Sequence, residues 1–376
     1  MTVSALYLHV PFCPSICPYC DFHKMLRNES LVARYLDRLG GEAAELSARF
    51  PGPLETLYLG GGTPSHLTDD ELGQVFTALR SGWGRAAGSD ETTLEADPLT
   101  FDEARLDRFH GLGVTRLSIG LQSTDDATLR FLGRVHDGEE GRRAVSQALQ
   151  AGFRVNVDVI MAVPGQDLGA DLRRVMDLGA RHVSVYSLTI EPNTPFARRG
   201  VTVDPEADAD AFELAGSVLA EYGLERYEVS NFAVPGEESR HNLGYWRGRY
   251  YLGLGPSASA YLPGGAFGVR TKNPPIKTWL LGARPELDTL GPDDYLLERL
   301  MTGLRTREGL PLLELEDRLG ARLEAVAPAW WRDVTRHGLL SVAEGRLRAT
   351  PTGLERLDAL LRAFVRDRAS LDALTG

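Results

Sequence analysis

Cysteine is scarce in this chain, with three in 376 residues. So small and odd a number excludes a disulfide-built scaffold and points to a reducing compartment. Basic charge is also in short supply. Lys and Arg number 41 against 52 Asp and Glu, a formal net charge of −11, so no broad phosphate-gripping face and no nucleic-acid partner are expected. Long apolar runs are missing as well. The longest uncharged window, 250–269, nears the length of a membrane span, but Gly253, Gly255, Pro256, Pro263, Gly264, Gly265 and Gly268 break it up. A helix so interrupted would leave too many backbone groups unsatisfied in lipid; the window reads as buried loop and strand. Residues 1–7 show neither the basic start nor the apolar core of a secretory signal. A cytoplasmic protein is the expectation.

What is present suffices for a large core. The chain is 43% hydrophobic, 25% charged and 8% aromatic, which excludes disorder throughout. Its length allows two or three units, or one large α/β barrel with an addition. Short β-type runs at 6–10, 56–59, 92–96, 116–121, 154–161 and 182–188 alternate with helical patterns near 30–49, 69–80, 101–111, 138–151, 168–179 and 205–223. Thr68 and Thr100, each shortly before acidic residues, mark two helix starts. Six strand–helix units in a row imply a parallel sheet with right-handed crossovers. A complete barrel, a partial barrel and an open doubly wound sheet all satisfy that pattern, though six units fall short of a closed eight-stranded barrel. Beyond residue 224 the rhythm breaks. Helical patterns at 295–304, 311–318, 323–337 and 351–366, with a hairpin across Glu344-Gly345, suggest a winged-helix-like, mostly helical C-terminal domain. The expected division is 1–235, a junction at 236–291, and 292–376.

Parallel sheets place their chemistry at the carboxyl ends of the strands. After the first strand comes Pro11-Phe12-Cys13-Pro14-Ser15-Ile16-Cys17-Pro18-Tyr19-Cys20, and after the second Gly60-Gly61-Gly62-Thr63-Pro64. All three cysteines thus fall in one loop, spaced C-x3-C-x2-C. Thiolates this close serve one metal centre. Cys13, Cys17, Cys20 and His23 would make a closed Cys3His zinc site; the three cysteines alone would hold a 4Fe–4S cluster with one iron open. The glycine run either makes a tight strand-to-helix turn or brings backbone close to a ligand. It is no Walker loop, since no Gly-Lys-Ser/Thr follows.

The C-x3-C-x2-C loop after a first strand resembles the radical S-adenosylmethionine (SAM) superfamily, over about residues 5–235. The resemblance implies a partial (β/α)6 barrel, an α/β fold. It also implies a 4Fe–4S cluster on Cys13, Cys17 and Cys20, with SAM chelating the open iron through its amino and carboxylate groups. In that superfamily the reduced cluster cleaves SAM to methionine and a 5′-deoxyadenosyl radical. Gly61, Gly62 and Thr63 match the stretch that meets the SAM amino group. Tyr7 and Tyr19 match aromatics beside SAM, and Glu95, Gln122, Arg134 and Asp158 match its polar contacts. Carboxylates suit an ammonium group and ribose hydroxyls, and a guanidinium suits a carboxylate. Taken alone, each of the four also reads as an ion pair or a helix cap.

Leu6-Tyr7-Leu8-His9-Val10-Pro11-Phe12-Cys13 and Gly120-Leu121-Gln122-Ser123 resemble the oxygen-independent coproporphyrinogen III oxidase group. Its true oxidases carry a fourth cysteine two residues after the third and a long N-terminal extension. Here Phe22 stands at that position, and only twelve residues precede Cys13. The Cys20-Asp21-Phe22 ending instead resembles the HemW-type haem chaperones, as does His241-Asn242-Leu243-Gly244-Tyr245-Trp246. That resemblance implies haem as cargo and haem-acceptor proteins as partners, membrane respiratory components among them, with a peripheral place at the inner membrane through those partners. His241, Asn242, Tyr245 and Trp246 would take part in haem handling, since imidazole ligates haem iron and Tyr and Trp pack on a porphyrin. Read without the resemblance, the same residues tie down a loop and pack a domain junction. A porphyrinogen oxidase or another radical SAM enzyme is the alternative; coproporphyrinogen dehydrogenase activity is not expected.

Overall fold

The computed structural model describes residues 3–84, 90–369 and 371. Met1 and Thr2, part of the N-terminal reading, lie outside the described residues. Strands β1 (Ala5–Val10), β2 (Thr56–Gly61), β3 (Glu91–Ala96), β4 (Arg116–Gln122), β5 (Arg154–Met161) and β6 (His182–Ser187) lie side by side in chain order, every neighbouring pair parallel. Residue character alternates along them. Leu6, Leu8, Leu57, Leu59, Leu94, Leu117, Ile119, Val157 and Val183 point one way into a continuous apolar core. Thr56, Glu91, Thr93, Arg116, Ser118, Asn156, His182 and Ser184 are polar yet buried. A sheet that buries both faces yet keeps one of them polar is built to enclose hydrogen-bonding chemistry rather than only to pack.

The crossovers are α1 (Glu29–Arg49), α2 (Asp69–Trp83), α3 (Glu103–Leu112), α4 (Asp126–Phe131), α5 (Gly138–Gln150), α6 (Leu168–Asp177) and α7 (Pro205–Glu221). Thr68 caps α2 in a full capping box with Glu71. Thr100 is not a cap: its hydroxyl bonds Asp97 O, and Asp102 starts α3 instead. The sheet continues beyond the six strands. β7 (Asn231–Ala233) adds antiparallel to β6, and β8 (Leu252–Leu254) adds parallel to the outer edge of β1. The interrupted window 250–269 therefore contributes strand, and it packs in the core. Between β7 and β8 runs α8 (Arg240–Trp246).

A three-stranded sheet, β9 (Ser259–Leu262), β10 (Val269–Lys272) and β11 (Glu286–Thr289), follows. Then come α9 (Pro292–Gly303), β12 (Leu310–Pro311), α10 (Leu312–Leu319), α11 (Leu323–Val326), α12 (Pro328–Arg336), the hairpin β13 (Leu340–Ala343) and β14 (Arg346–Ala349), α13 (Pro351–Glu355) and α14 (Leu357–Asp367). β12 pairs with β14, so three strands form the wing. The single helix expected over 323–337 is two, because Pro328 cannot continue the first and instead opens the second. This part has its own core, from Tyr295 to Leu371. Among the described residues no helix is long and apolar enough to cross a membrane.

Candidate functional site

The cysteine loop hangs from the carboxyl end of β1 and is pinned at its base. Phe12–Cys13 pairs in parallel with Met25–Leu26, and Met25 N donates to Pro11 O at 2.8 Å. His9 adds a second tie, its Nε2 lying 2.8 Å from His23 O. Within the loop Cys20 N donates to Cys17 O at 3.3 Å. Cys13 is buried, while Cys17 and Cys20 are half-buried. Burial pushes the Cys13 thiol up to about 11, opposed by a hydrogen bond from Thr63 and reinforced by Cys20 and Cys17. Burial raises Cys20 too, with Lys24 opposing it. Arg134 Nη1 donates to Cys17 Sγ at 3.4 Å.

The donor set thus comprises three thiols with a hydroxyl and two cations beside them, surroundings that suit an anionic iron–sulfur centre. His23 has its Nε2 engaged by Ile276 N–H at 3.2 Å, so that nitrogen is not open to a metal. Among the described residues no three His, Cys, Asp or Glu side chains converge on a single ion. Three thiolates that each hold a separate iron need no such convergence, whereas a Cys3His zinc site does. The residues fit the cluster.

The other carboxyl ends surround this loop. Gly61 holds φ +113°, and a Cβ there would lie 2.4 Å from the His9 ring; one on Gly62 would lie 2.8 Å from Pro11 C. The glycines are needed for close packing. Their amides are all engaged: Gly61 N donates to Glu95 Oε2, Gly62 N to Val10 O and Thr63 N to Phe12 O. The loop can therefore offer a ligand acceptors rather than amide donors, which suits an ammonium group.

Glu95 also accepts Tyr58 O–H at 2.9 Å; burial pushes its carboxyl up to about 7 despite these bonds. Asp158 accepts Ser118 O–H at 3.1 Å and Asn156 Nδ2–H at 2.8 Å, and burial raises it to about 6. Tyr7 bonds His9 Nδ1 at 3.0 Å, with its ring 6.0 Å from that of Tyr58. Tyr19 faces Phe196 at 6.3 Å. Gln122 closes β4 at φ +68°, a rare value for a residue with a side chain. Arg134 does not lie in a solvated loop. It is half-buried, with Nη2 2.5 Å from Asp97 Oδ2 and 2.9 Å from Gly120 O. Asp97 is the member of this group that the sequence reading did not single out; its signal was its place at the carboxyl end of β3.

The H-N-x-x-Y-W segment lies at the other end of the strands. His241 is 1% exposed. Its Nδ1 lies 2.8 Å from the hydroxyl of Thr56, the first residue of β2, and its Nε2 lies 2.7 Å from Tyr245 O–H. Burial holds the imidazole neutral, down to about 3. Both ring nitrogens are spent, so His241 is closed to iron in this arrangement, and its place matches the loop-tying reading of the motif. Asn242 N caps onto Ser239, and Trp246 O accepts Arg299 from α9. The start of α8 is held by Glu91, whose carboxylate accepts His241 N at 2.9 Å and Arg240 N at 3.2 Å and pairs with Arg116 at 3.2 Å.

A three-cysteine loop on a six-stranded parallel partial barrel is the arrangement of a radical SAM protein, and residues 7–178 match the radical SAM superfamily. Residues 290–355 match the HemN C-terminal domain. The heme chaperone HemW of Bacillus subtilis is 32% identical over 93% of this chain and 96% of its own, and that of Escherichia coli is 32% identical over 96% and 98%. The solved coproporphyrinogen III oxidase (HemN) from Escherichia coli shares the fold, with a TM-score of 0.83 at 22% identity over 96% of this chain and 90% of that one. The chain belongs to the HemW family of radical SAM proteins.

Proposed function

We propose that this protein is a haem chaperone that binds a 4Fe–4S cluster, SAM and haem, and passes haem to acceptor proteins. The observation that carries the reading is the donor set: three thiols, an arginine on the middle one, and Phe22, 67% exposed, where oxidases of this group have a fourth cysteine. Relatives named heme chaperone match it over nearly their whole length. Cys13, Cys17 and Cys20 would hold the cluster, which when reduced supplies an electron to the SAM sulfonium.

The chain's own residues do the rest. Carbonyls of the glycine run and the Glu95 carboxylate receive the SAM ammonium. Arg134, held by Asp97, stays protonated and faces its carboxylate. Asp158 and Gln122 take ribose or adenine polar atoms, with Tyr7 and Tyr19 flanking. His241, with Asn242 and Tyr245, fixes α8 and so positions Trp246 at the junction, a role for the motif that needs no iron bond.

Haem titration of the iron–sulfur-reconstituted protein, with and without SAM, tests the proposal. Stoichiometric haem binding followed by transfer to an apo-acceptor is expected. Conversion of coproporphyrinogen to a vinyl product in the presence of SAM and reductant would sink it in favour of an oxidase.

A further inference from the structure

Between α8 and the C-terminal domain lies a cavity of about 290 Å³, lined by Trp246, Gly248, Tyr295, Arg299 and Arg318 among others. Five of its lining side chains are arginines and two are glutamates, a local excess of three positive charges in a chain whose net charge is −11. Three of the arginines are satisfied. Arg247 binds Glu308, Arg249 lies 3.5 Å from Glu55, and Arg346 donates to Glu308 O and Gly309 O. The other two have no carboxylate within 4.0 Å among the described residues.

Arg299 is only 8% exposed. Both of its hydrogen bonds leave from Nη1, to Trp246 O and Thr302 Oγ1, so Nε and Nη2 are uncommitted. Its guanidinium rests on Gly248, where a Cβ would come within 2.4 Å of Nη1. Arg318 stacks over the Tyr295 ring at 4.5 Å and spends its donors on two neutral phenols and Ala266 O. Burial, with Arg318 adding to it, pulls Arg299 below its ordinary value, against the pull of Tyr295 and Glu314. Two neighbouring guanidiniums, one of them buried, incur a desolvation cost that Glu314, beyond 4.0 Å, offsets only in part. An oxyanion between them would do so.

The larger cavity, about 670 Å³ beside the carboxyl end of β5, has the wrong sign: it carries Asp167, Asp204 and Asp210 and no basic side chain. The arginine cavity also stands apart from the cysteine loop. Arg249 reaches Glu55, just before β2, whereas the cysteines lie at the other end of the strands, ~20 Å away at the usual rise of a six-residue strand. We infer that this cavity binds the carboxylate or phosphate group of a small molecule, held between Arg299 and Arg318 beside Trp246. Its size is at the lower limit of small-molecule sites, about 300 Å³, so it takes a headgroup rather than a whole macrocycle. A haem propionate is one source of that group, and this part alone rests on the chaperone reading; free phosphate or a small dicarboxylate is the other.

The test is calorimetric titration of the full chain with inorganic phosphate, glutarate, haem and haem dimethyl ester, for wild type, Arg299→Met and Arg318→Met. One equivalent of at least one acidic probe should bind wild type, and each variant should bind it about tenfold more weakly, the loss of one charge-assisted contact. Arg318→Met lies at the half-exposed rim and keeps the test open if Arg299→Met does not fold. A preference for haem over its ester that disappears in Arg318→Met assigns the site to propionates. Equal binding of haem and ester, with phosphate or glutarate still lost in the variant, assigns it to another anion. Failure of wild type to bind haem removes the chaperone reading and leaves the small anions to decide the cavity. If every acidic probe binds wild type and Arg318→Met equally, or none binds at all, the inference is wrong.

Discussion

At the carboxyl ends of the strands, Gln122 and Ala162 hold positive φ, Cys17, Tyr19 and Arg134 are half-buried, and Glu95 and Asp158 keep carboxyls raised to about 7 and about 6. At the amino ends, Glu91, Arg116, His182 and His241 are all 2% exposed or less, and each is tied to a neighbouring side chain or backbone. Backbone strain and raised carboxyls thus mark one end, and a hydrogen-bonded ion pair with neutral imidazoles the other. Strained backbone and perturbed carboxyls are the marks of a site that works on a ligand, whereas a buried ion pair that also holds a helix start marks a joint. The rim should thus control ligand binding with little effect on stability, and the opposite end the reverse.

Cys17→Ser is the sharpest way to separate the two. Reconstituted iron should fall from about four per chain to background, while urea unfolding of the metal-free protein keeps its wild-type midpoint, because the loop is pinned by Pro11 and His9 rather than by Cys17. At the other end, Glu91→Gln leaves Arg116 buried beside a neutral group and weakens the hold on α8. A loss of about 3–5 kcal/mol is expected, read by urea unfolding, and the protein that remains folded should bind SAM normally.

His241→Gln tests the joint through pH. The folded imidazole titrates at about 3 against an ordinary 6.5, so its stability is complete above pH 6.5 and is lost as pH falls towards 3. Between pH 7.5 and 5 wild type should lose about 2 kcal/mol more than the variant. Glu95 and Asp158 protonate alike in both proteins, and parallel stability curves would contradict the burial of this ring. The smallest expected effect belongs to Asp97→Asn, which releases Arg134 at the rim. SAM affinity should weaken about tenfold, ~1.4 kcal/mol, with the unfolding midpoint close to wild type; a stability loss without an affinity change would move Asp97 to the structural side.

The six strands were legible because each is a compact apolar run followed by a helix, and Thr68 with Glu71 spelled out its capping box. That rhythm gave the parallel sheet, the family resemblance chose a partial barrel among the arrangements it allows, and the winged C-terminal part was read from the helices and hairpin that follow its break. The three cysteines were legible from spacing alone, but the choice between zinc and iron–sulfur was not. The radical SAM family match favours the cluster, and the bond from Ile276, more than 250 positions away, that engages His23 Nε2 is invisible in sequence. Asp97, and with it the pair it makes with Arg134, was hidden in the same way, since a carboxylate and a guanidinium on separate loops give no periodic signal. α4 was missed because six residues are too few to show a 3.6-residue repeat. β8, three residues in a glycine-rich stretch, has no pattern of its own; its partner β1 decides it.

That pairing has a consequence for the order of synthesis. β1 leaves the ribosome well before β8, and Leu252 must arrive before Leu6 gains its outer neighbour. Until then β1 has an open edge, with the whole barrel sequence still to be threaded between the two partners. Gly255, whose Cβ position would fall 2.6 Å from His9 O, presses on the same strand only after β8 is in place. The cysteine loop is therefore made well before the strand that closes the edge beneath it, and a cluster delivered to the growing chain would meet thiols on an unfinished platform.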